Sequence, residues 1–589
     1  MNNPLQFRKD IQGLRALAVI VVIIFHLGFL PNGYLGVDIF FVISGFLIIG
    51  IMNKDFINDT YSIKDFYIRR FRRIIPLVLI TGVVALSLGS YFMLPDDLEN
   101  LSQSIIATNL FSNNVLQFLT SRNYWDVMND YKPLMHTWSL GVEEQFYIVI
   151  PFLFLFSSRR NNQIFPIILI ATIASAVTYI FYKDEAVKFY MLPMRFFEIS
   201  IGGLAALRAR EIKGNAYVSS LALLTLLVFL LFDWNLPAEL KTVVTVVATL
   251  LLIIYNEASF KINRFLENPI AVYIGTISFS LYMWHQVILA FFRYSVSQDF
   301  TLYSSLLLGV IMLVVAILSY HFVEDYFRKP YNISTKKLLA ICAFMFVGLN
   351  VASFYIYLKA GVIRDIPELE ISVGHVERGM HAKYNSRIRE LTQDFTPSNK
   401  VNVLLLGNSF ARDWGNVLLE SEFRDQIQIS YSELPFETKN LQNKLDMADI
   451  IFFSPYYKAE YIPVSKKFRI DEKKIWIVGT KNFGPNNGLL YNQKRNQNNC
   501  DLRAYVSDYA LNENKELKEE WGKRYIDLLS YVIDTTNKVP VFTNDCEFIS
   551  QDTRHFTRSG AAFFAMKINL SQYLGIPEIK PRNLHAVAR

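Results

Sequence analysis

The stretch FHLGFLPNGYLGVDIFFVISGFLI, residues 25–48, decides how the chain is read. It is apolar enough for the inside of a bilayer, yet it carries His26 and Asp38. An ionisable group near a membrane centre costs about 2.5–3.5 kcal/mol on insertion scales. Something has to offset that cost, and a functional site is the default explanation.

Working outward, apolar blocks long enough to cross a membrane, for which about 20 residues suffice, recur up to residue 358. The expected spans are 14–30, 35–52, 74–94, 138–157, 164–182, 195–208, 216–233, 238–256, 270–292, 301–322 and 338–358. The first run lacks a small-residue cleavage site and another span follows at once, so it reads as a retained helix rather than a signal peptide. Beyond residue 360 the composition turns to that of an ordinary soluble domain. The whole chain has 589 residues, is 52% hydrophobic and carries a formal net charge of +7, with a mean hydropathy of +0.24. That positive balance does not indicate a nucleic-acid partner, because the basic residues cluster between apolar blocks, as membrane orientation requires.

Alternate loops are rich in Lys and Arg: Arg8 and Lys9, IRRFRRIIP at 68–76, Arg159 and Arg160, RAREIK at 208–213, Lys261 and Arg264, and the stretch from Arg328 to Lys337. The positive-inside rule then puts the N-terminus in the cytoplasm. Eleven spans, an odd number, put residues 360–589 on the opposite side. With that orientation His26, Asp38, Glu143, Glu144, Arg195, Glu198 and His285 gather towards the outer half, while Arg69, Arg70, Arg72 and Arg73 gather at the cytoplasmic surface. Any one of these can be a snorkelling side chain or an anchor. Several converging from different spans at similar depth fit a charge-lined cavity better. Both an enzyme and a carrier make such a cavity.

The segments FRKDIQGLRALAVIVVIIFH, GYLGVDIFFVISGFLI, IRRFRRIIP, HTWSLGVEEQFY, RFFEISIGG, IGTISFSLYMWHQ and SYHFVEDYFRKP follow in order through residues 7–330. Together they resemble the acyltransferase-3 family of bacterial membrane acyltransferases. Members of that family move acyl groups, usually acetyl, from cytoplasmic acyl-CoA to extracytoplasmic sugars. The resemblance implies that His26 is the catalytic histidine and that Asp38 and Glu143 help form the site. It likewise implies that Arg15 contributes, with Arg69 and Arg72 as an R-x-x-R motif tied to donor binding. A histidine with a nearby carboxylate can take a proton from a sugar hydroxyl as it attacks a thioester. Arginines suit the phosphates of coenzyme A.

Residues 359–398 read as a linker or small extension. VNVLLLGNSFARDW, 401–414, reads as a buried parallel strand, a turn and a helix. DIIFFS at 449–454, KIWIVG at 474–479 and VPVFTN at 539–544 are further strand candidates, with helix between, notably near 517–537. Strands alternating with helices predict a doubly wound α/β domain over 399–589, its site beyond the carboxyl ends of the strands. Ser409 in GNS, Asn482 in GTKNFG, and Asp552 with His555 in QDTRHFTRSGA fall there. This set resembles the SGNH hydrolases. The resemblance makes Ser409 the nucleophile, His555 the base, Asp552 the residue that orients it, and Asn482 an oxyanion donor with the Ser409 N–H. Two departures stand: G-N-S replaces the usual G-D-S, and SPYY at 454–457 occupies the place of the family's oxyanion-glycine block. The bland alternative is a serine capping a helix and a surface Asp–His pair.

The expected architecture is thus a polytopic helical membrane domain over 1–358, with ten or eleven transmembrane helices, joined to an SGNH-like domain. Such fusions resemble bacterial O-acetyltransferases of surface glycans. The implied reaction carries acetyl from acetyl-CoA, as co-substrate, to a lipid-linked or polymeric glycan, with lipopolysaccharide O-antigen favoured and peptidoglycan as alternative. The implied setting is a bacterial inner membrane with the C-terminal domain in the periplasm. Rival readings are a glycan or lipid transporter and a membrane-anchored deacetylating esterase. No permanently bound cofactor is implied, and the eight histidines lack metal-ligand spacing with cysteine or carboxylate partners. Cys500 and Cys546 pair only if their domain lies in an oxidising compartment, and spacing alone does not decide it.

Overall fold

Long apolar runs in the first part of the chain satisfy their backbone N–H and C=O groups internally, as a lipid environment demands. The result, in a computed structural model, is an all-helical unit ending at Gly361, followed by a second unit from Val362. The structure describes residues 8–120, 129–156, 164–208, 212–257, 260–261, 263–374, 380–433, 440–454, 457–497 and 500–577. Arg159 and Arg160 of one basic loop, Arg210 of another, and the middle of SPYY lie outside them.

The helices of the first unit are α1 (Lys9–His26), α2 (Gly36–Ile57), α3 (Ile63–Phe92), α4 (Pro95–Asn109), α5 (Asn113–Thr120), α6 (Thr137–Phe156), α7 (Ile164–Phe181), α8 (Glu185–Tyr190) and α9 (Leu192–Arg208). They continue as α10 (Ala216–Leu231), α11 (Ala238–Tyr255), α12 (Asn263–Leu266), α13 (Pro269–Thr276), α14 (Ser278–Ser295), α15 (Leu302–Ser319), α16 (Asp325–Arg328) and α17 (Thr335–Leu358). Each expected span falls on a helix. Among the described residues six helices are long and apolar enough to cross a membrane: α2, α3, α7, α11, α15 with its continuation, and α17. The span expected at 270–292 is two helices, α13 and α14, bent by 68° and together making a seventh. The other four expected spans fall on α1, α6, α9 and α10. Three carry charge (Asp10 and Arg15, Glu143 and Glu144, Arg195 and Glu198), and α10 is short.

Helices α4 and α5 answer to no expected span, since residues 95–120 are too polar for one. Pro95 opens α4 at the first helical position, where its missing N–H costs nothing. Close packing of α2 on α9 depends on small residues. A Cβ at Gly45 would lie 1.6 Å from the Ile199 carbonyl oxygen, and one at Gly202 would lie 1.9 Å from that of Val42.

The second unit contains α18 (Met380–Ser386), β1 (Val401–Leu406), α19 (Ser409–Leu419), β2 (Ile427–Ser432), α20 (Leu441–Met447), β3 (Ile450–Phe453), α21 (Lys458–Phe468), β4 (Ile475–Val478), α22 (Asn487–Gln497) and β5 (Arg503–Tyr505). It ends with α23 (Asp508–Trp521), β6 (Tyr525–Ile526), β7 (Lys538–Pro540), α24 (Arg558–Lys567) and α25 (Ser571–Leu574). A five-stranded sheet runs β2-β1-β3-β4-β6, every pairing parallel. Its two faces are covered by separate apolar layers, around Trp414 and Phe452 on one side and Phe453 and Ile477 on the other.

Two local expectations are corrected. The helix expected near 517–537 ends at Trp521, and the fifth parallel strand, β6, lies inside that stretch. VPVFTN does not join the main sheet; β7 pairs antiparallel with β5 instead. Residues 387–391, within the segment read as a linker or small extension, pack on the α/β core through buried Ile388. Cys500 and Cys546 form a disulfide with their Cα atoms 5.3 Å apart.

Candidate functional site

In the helical unit, α1, α2, α3, α6 and α14 line a cavity. Its polar wall holds Arg15, Arg70, Arg73, Glu143, Ser44 and Tyr147. Glu143 Oε1 accepts from Ser44 Oγ at 2.8 Å, and Oε2 from the Tyr147 hydroxyl at 3.2 Å. Three guanidinium groups and the Glu143 carboxylate face this space, with Glu144 and Glu324 within electrostatic reach of the same arginines, and guanidinium groups suit an anionic ligand. Positions 69 and 72 lie off this wall. Arg69 pairs with Asp55 at 2.9 Å and is half exposed. Arg72 is buried, donating to the carbonyls of Phe327 and Ile333 and to the Thr335 hydroxyl at 2.9–3.0 Å, which ties α3 to the start of α17. Of the four arginines in this run, the second and fourth line the cavity.

His26, at the last turn of α1, has its ring 5.3 Å from that of His285, which lies 5.1 Å from His136. The Tyr282 carbonyl can only accept, so the 2.6 Å bond to His285 Nδ1 puts the proton there. The other ring nitrogen, Nε2, is buried with no hydrogen-bond partner among the described residues, and His136 is buried beside it. Sequence reasoning placed His285 within the bilayer but missed His136, which stands at the head of the HTWSLGVEEQFY motif.

The structure does not join Asp38 to His26. Asp38 takes a hydrogen bond from Arg195 at 3.2 Å and one from Thr242 at 3.2 Å, while Arg195 also pairs with Glu198 at 2.6 Å. This buried knot links α2, α9 and α11. No carboxylate bonds to His26 among the described residues.

In the second unit, Ser409 opens α19 just past the carboxyl end of β1. The sheet order reverses between β1 and β3, and such a switch point opens a crevice. Gly407, at φ +128°, makes the turn, and a Cβ there would meet Ser454 Oγ at 2.0 Å. Ser409 Oγ lies 2.8 Å from His555 Nε2, and His555 Nδ1 lies 2.6 Å from Asp552 Oδ2. A carboxylate can only accept, so Nδ1 carries the proton and Nε2 is free to take one from the serine. Burial pushes the Asp552 carboxyl up, but its bonds to the His555 ring and to the N–H groups of Arg554 and His555 outweigh this and hold it below the ordinary range. Asn482 Oδ1 accepts from the N–H groups of Gly484 and Ser507 at 3.3 and 3.1 Å. That fixes the amide and leaves Nδ2 without a partner among the described residues.

Beside this array, Lys481 and Asp413 form an ion pair of 2.8 Å whose side chains are each 1% exposed. Burial pulls the Lys481 ammonium below its usual range, against the opposing pull of Asp413. Among the described residues no group of three or more His, Cys, Asp or Glu side chains could hold a metal ion.

The chain thus joins a multi-pass helical unit with an arginine-walled cavity to an α/β unit that holds a Ser–His–Asp array. The chain belongs to the acyltransferase-3 family, whose model, described as an acyltransferase domain, matches residues 8–321, more than half its length. It is similar to the peptidoglycan O-acetyltransferase OatA of Listeria monocytogenes, 30% identical over 352 residues that span 55% of this chain and 56% of that protein. It is also similar to the O-acetyltransferase OatA of Staphylococcus aureus strain NCTC 8325, 28% identical over 352 residues, 55% of this chain and 58% of that one. The chain thus matches little more than half the length of these relatives. No solved structure matches it.

Proposed function

We propose that this chain transfers an acetyl group from cytoplasmic acetyl-CoA to a hydroxyl of an extracytoplasmic glycan. The observation that carries the reading is the cavity walled by Arg15, Arg70 and Arg73, within the segment the acyltransferase model covers. The arginines hold the phosphates of the donor, and the pantetheine arm carries the thioester towards His26. His26 takes the proton of the acceptor hydroxyl as its oxygen attacks the thioester carbonyl. The carbon–sulfur bond breaks, and the proton leaves with the coenzyme thiolate. Glu143 holds the cavity wall through Ser44 and Tyr147, and Asp38 fixes α2 through Arg195, so both act by positioning.

In the second unit Ser409, His555 and Asp552 form a nucleophile, base and orienting acid, and Asn482 supplies an oxyanion donor. The acetyl group either reaches the glycan directly, with this unit positioning the acceptor, or rests on Ser409 first. The N-terminus is cytoplasmic and residues 362–589 lie on the glycan's side, in the periplasm of a Gram-negative cell. Lipopolysaccharide O-antigen is the leading acceptor. Peptidoglycan is the second reading, favoured by the likeness to the Listeria peptidoglycan O-acetyltransferase.

Mass spectrometry of lipopolysaccharide and peptidoglycan from cells expressing the wild type, His26→Ala or Ser409→Ala tests the reading. Acetyl is expected to appear on one glycan with the wild type and to vanish with His26→Ala. Transfer retained by a correctly inserted His26→Ala protein removes that residue from the mechanism. Acetylation surviving Ser409→Ala selects the direct route, and more acetyl in cells lacking the protein selects an esterase.

A further inference from the structure

The buried Lys481–Asp413 pair sits where three site-bearing segments meet. Asp413 lies one turn along α19 from Ser409. Its Oδ2 holds Lys481 Nζ at 2.8 Å and accepts from the Phe556 N–H at 3.3 Å, beside His555. Its Oδ1 accepts from Asn385 Nδ2 at 2.6 Å, and the same Nδ2 reaches the Ser409 carbonyl at 3.1 Å. Lys481 precedes Asn482 in the chain. Its ammonium stands 3.7 Å from the centre of the Phe410 ring and 5.0 Å from that of Phe556, the residues that follow Ser409 and His555. One cation therefore touches a neighbour of the nucleophile, a neighbour of the base and, through its own backbone, the oxyanion amide.

Charge buried in this way is costly, and well-packed apolar side chains of similar volume commonly serve stability as well or better. A role in stability alone does not call for it. Two features point to alignment. The carboxylate bonds to three separate segments at fixed lengths, and apolar contact cannot impose that directionality. The ring contacts add attraction from the aromatic faces that fixes the height of the ammonium.

We propose that Lys481 and Asp413 are positioning residues that set Ser409, His555 and Asn482 in register, and that Asn385, from the segment preceding the sheet, belongs to the same device. The inference rests on Ser409 being a nucleophile. It acts by geometry, since a misplacement of about 1 Å at a reacting centre can cost on the order of 100-fold in rate.

The test uses the full-length protein and a fluorophosphonate probe, which labels an activated serine. Lys481→Met alone leaves Asp413 buried and unpaired and is expected to lower both the thermal midpoint and the labelling rate. Asp413→Asn with Lys481→Met removes both charges, and its thermal midpoint is expected to return close to that of the wild type. Its maximal labelling rate is expected to stay down by about 100-fold, with the half-saturating probe concentration unchanged. A double variant that regains stability and labels at the wild-type rate overturns the inference and makes the pair merely structural. A double variant that stays unstable also overturns it, because the pair then serves stability. A wild type that labels no faster than Ser409→Ala overturns the nucleophile reading and the inference with it.

Discussion

Neighbouring arginines on one helix do different work here. Arg70 and Arg73 line the cavity, while Arg72 spends its guanidinium on the carbonyls of Phe327 and Ile333. Truncating Arg70 or Arg73 to Ala should raise the KM for acetyl-CoA roughly 10–100-fold, the worth of one charge-assisted hydrogen bond, at normal protein levels. Truncating Arg72 should instead cost about 2–4 kcal/mol of stability by stranding buried carbonyls, seen as lost protein in the membrane. Equal KM effects from Arg70→Ala and Arg72→Ala would contradict this division. The motif was legible in IRRFRRIIP, but which pair faces the interior was not, because a one-residue shift turns a helical side chain by about 100°. Ser409 and the Asp552–His555 pair were easier to place, because Ser409 sits in one short motif, GNS, and the pair in another. Asn385 and His136 were not found. The first lies in a polar stretch without periodicity, and the second is a lone histidine whose neighbours come from distant helices.

At the scale of elements, the crossing of α2 and α9 is set by glycine. The Gly45→Ala substitution adds a methyl where the Ile199 carbonyl already sits, so it should cost about 1–3 kcal/mol or more through overpacking. At Gly309, in α15, an added Cβ meets nothing within 4 Å, and Ala there should be neutral or stabilising by up to about 1 kcal/mol. Thermal melts in detergent that rank the two variants the other way would refute the packing account. Most helices were readable from apolar run length alone. Helices α4 and α5 were hidden because they pack polar faces within the unit, and the α13–α14 bend was hidden because apolarity continues across it. In the second unit, β6 is only two residues long and lies in a stretch whose apolar spacing imitates a helix.

For the whole molecule, sidedness is the property on which the chemistry turns. In the proposed reaction, a donor held by arginines on one face and an acceptor on the other require residues 362–589 to lie across the membrane from Arg69. Single cysteines placed at the exposed positions Lys64 and Tyr509, in a Cys342→Ser background, give the check. An impermeant maleimide applied to intact spheroplasts should label position 509 and spare position 64. The reverse pattern would defeat the proposed reaction. Hydropathy showed that the chain crosses the membrane many times. It left the number of crossings open, because α1, α6 and α9 carry buried charges, some on the cavity wall and some in the Asp38–Arg195–Glu198 knot.

The Cys500–Cys546 bridge ties the second unit to its surroundings in a practical way. Glutathione keeps such thiols apart in the cytosol, so a fragment starting near Val362 and made there would lack the tie across a separation of 46 residues. Production of that fragment is therefore a question of secretion route and oxidant supply before it is one of solubility.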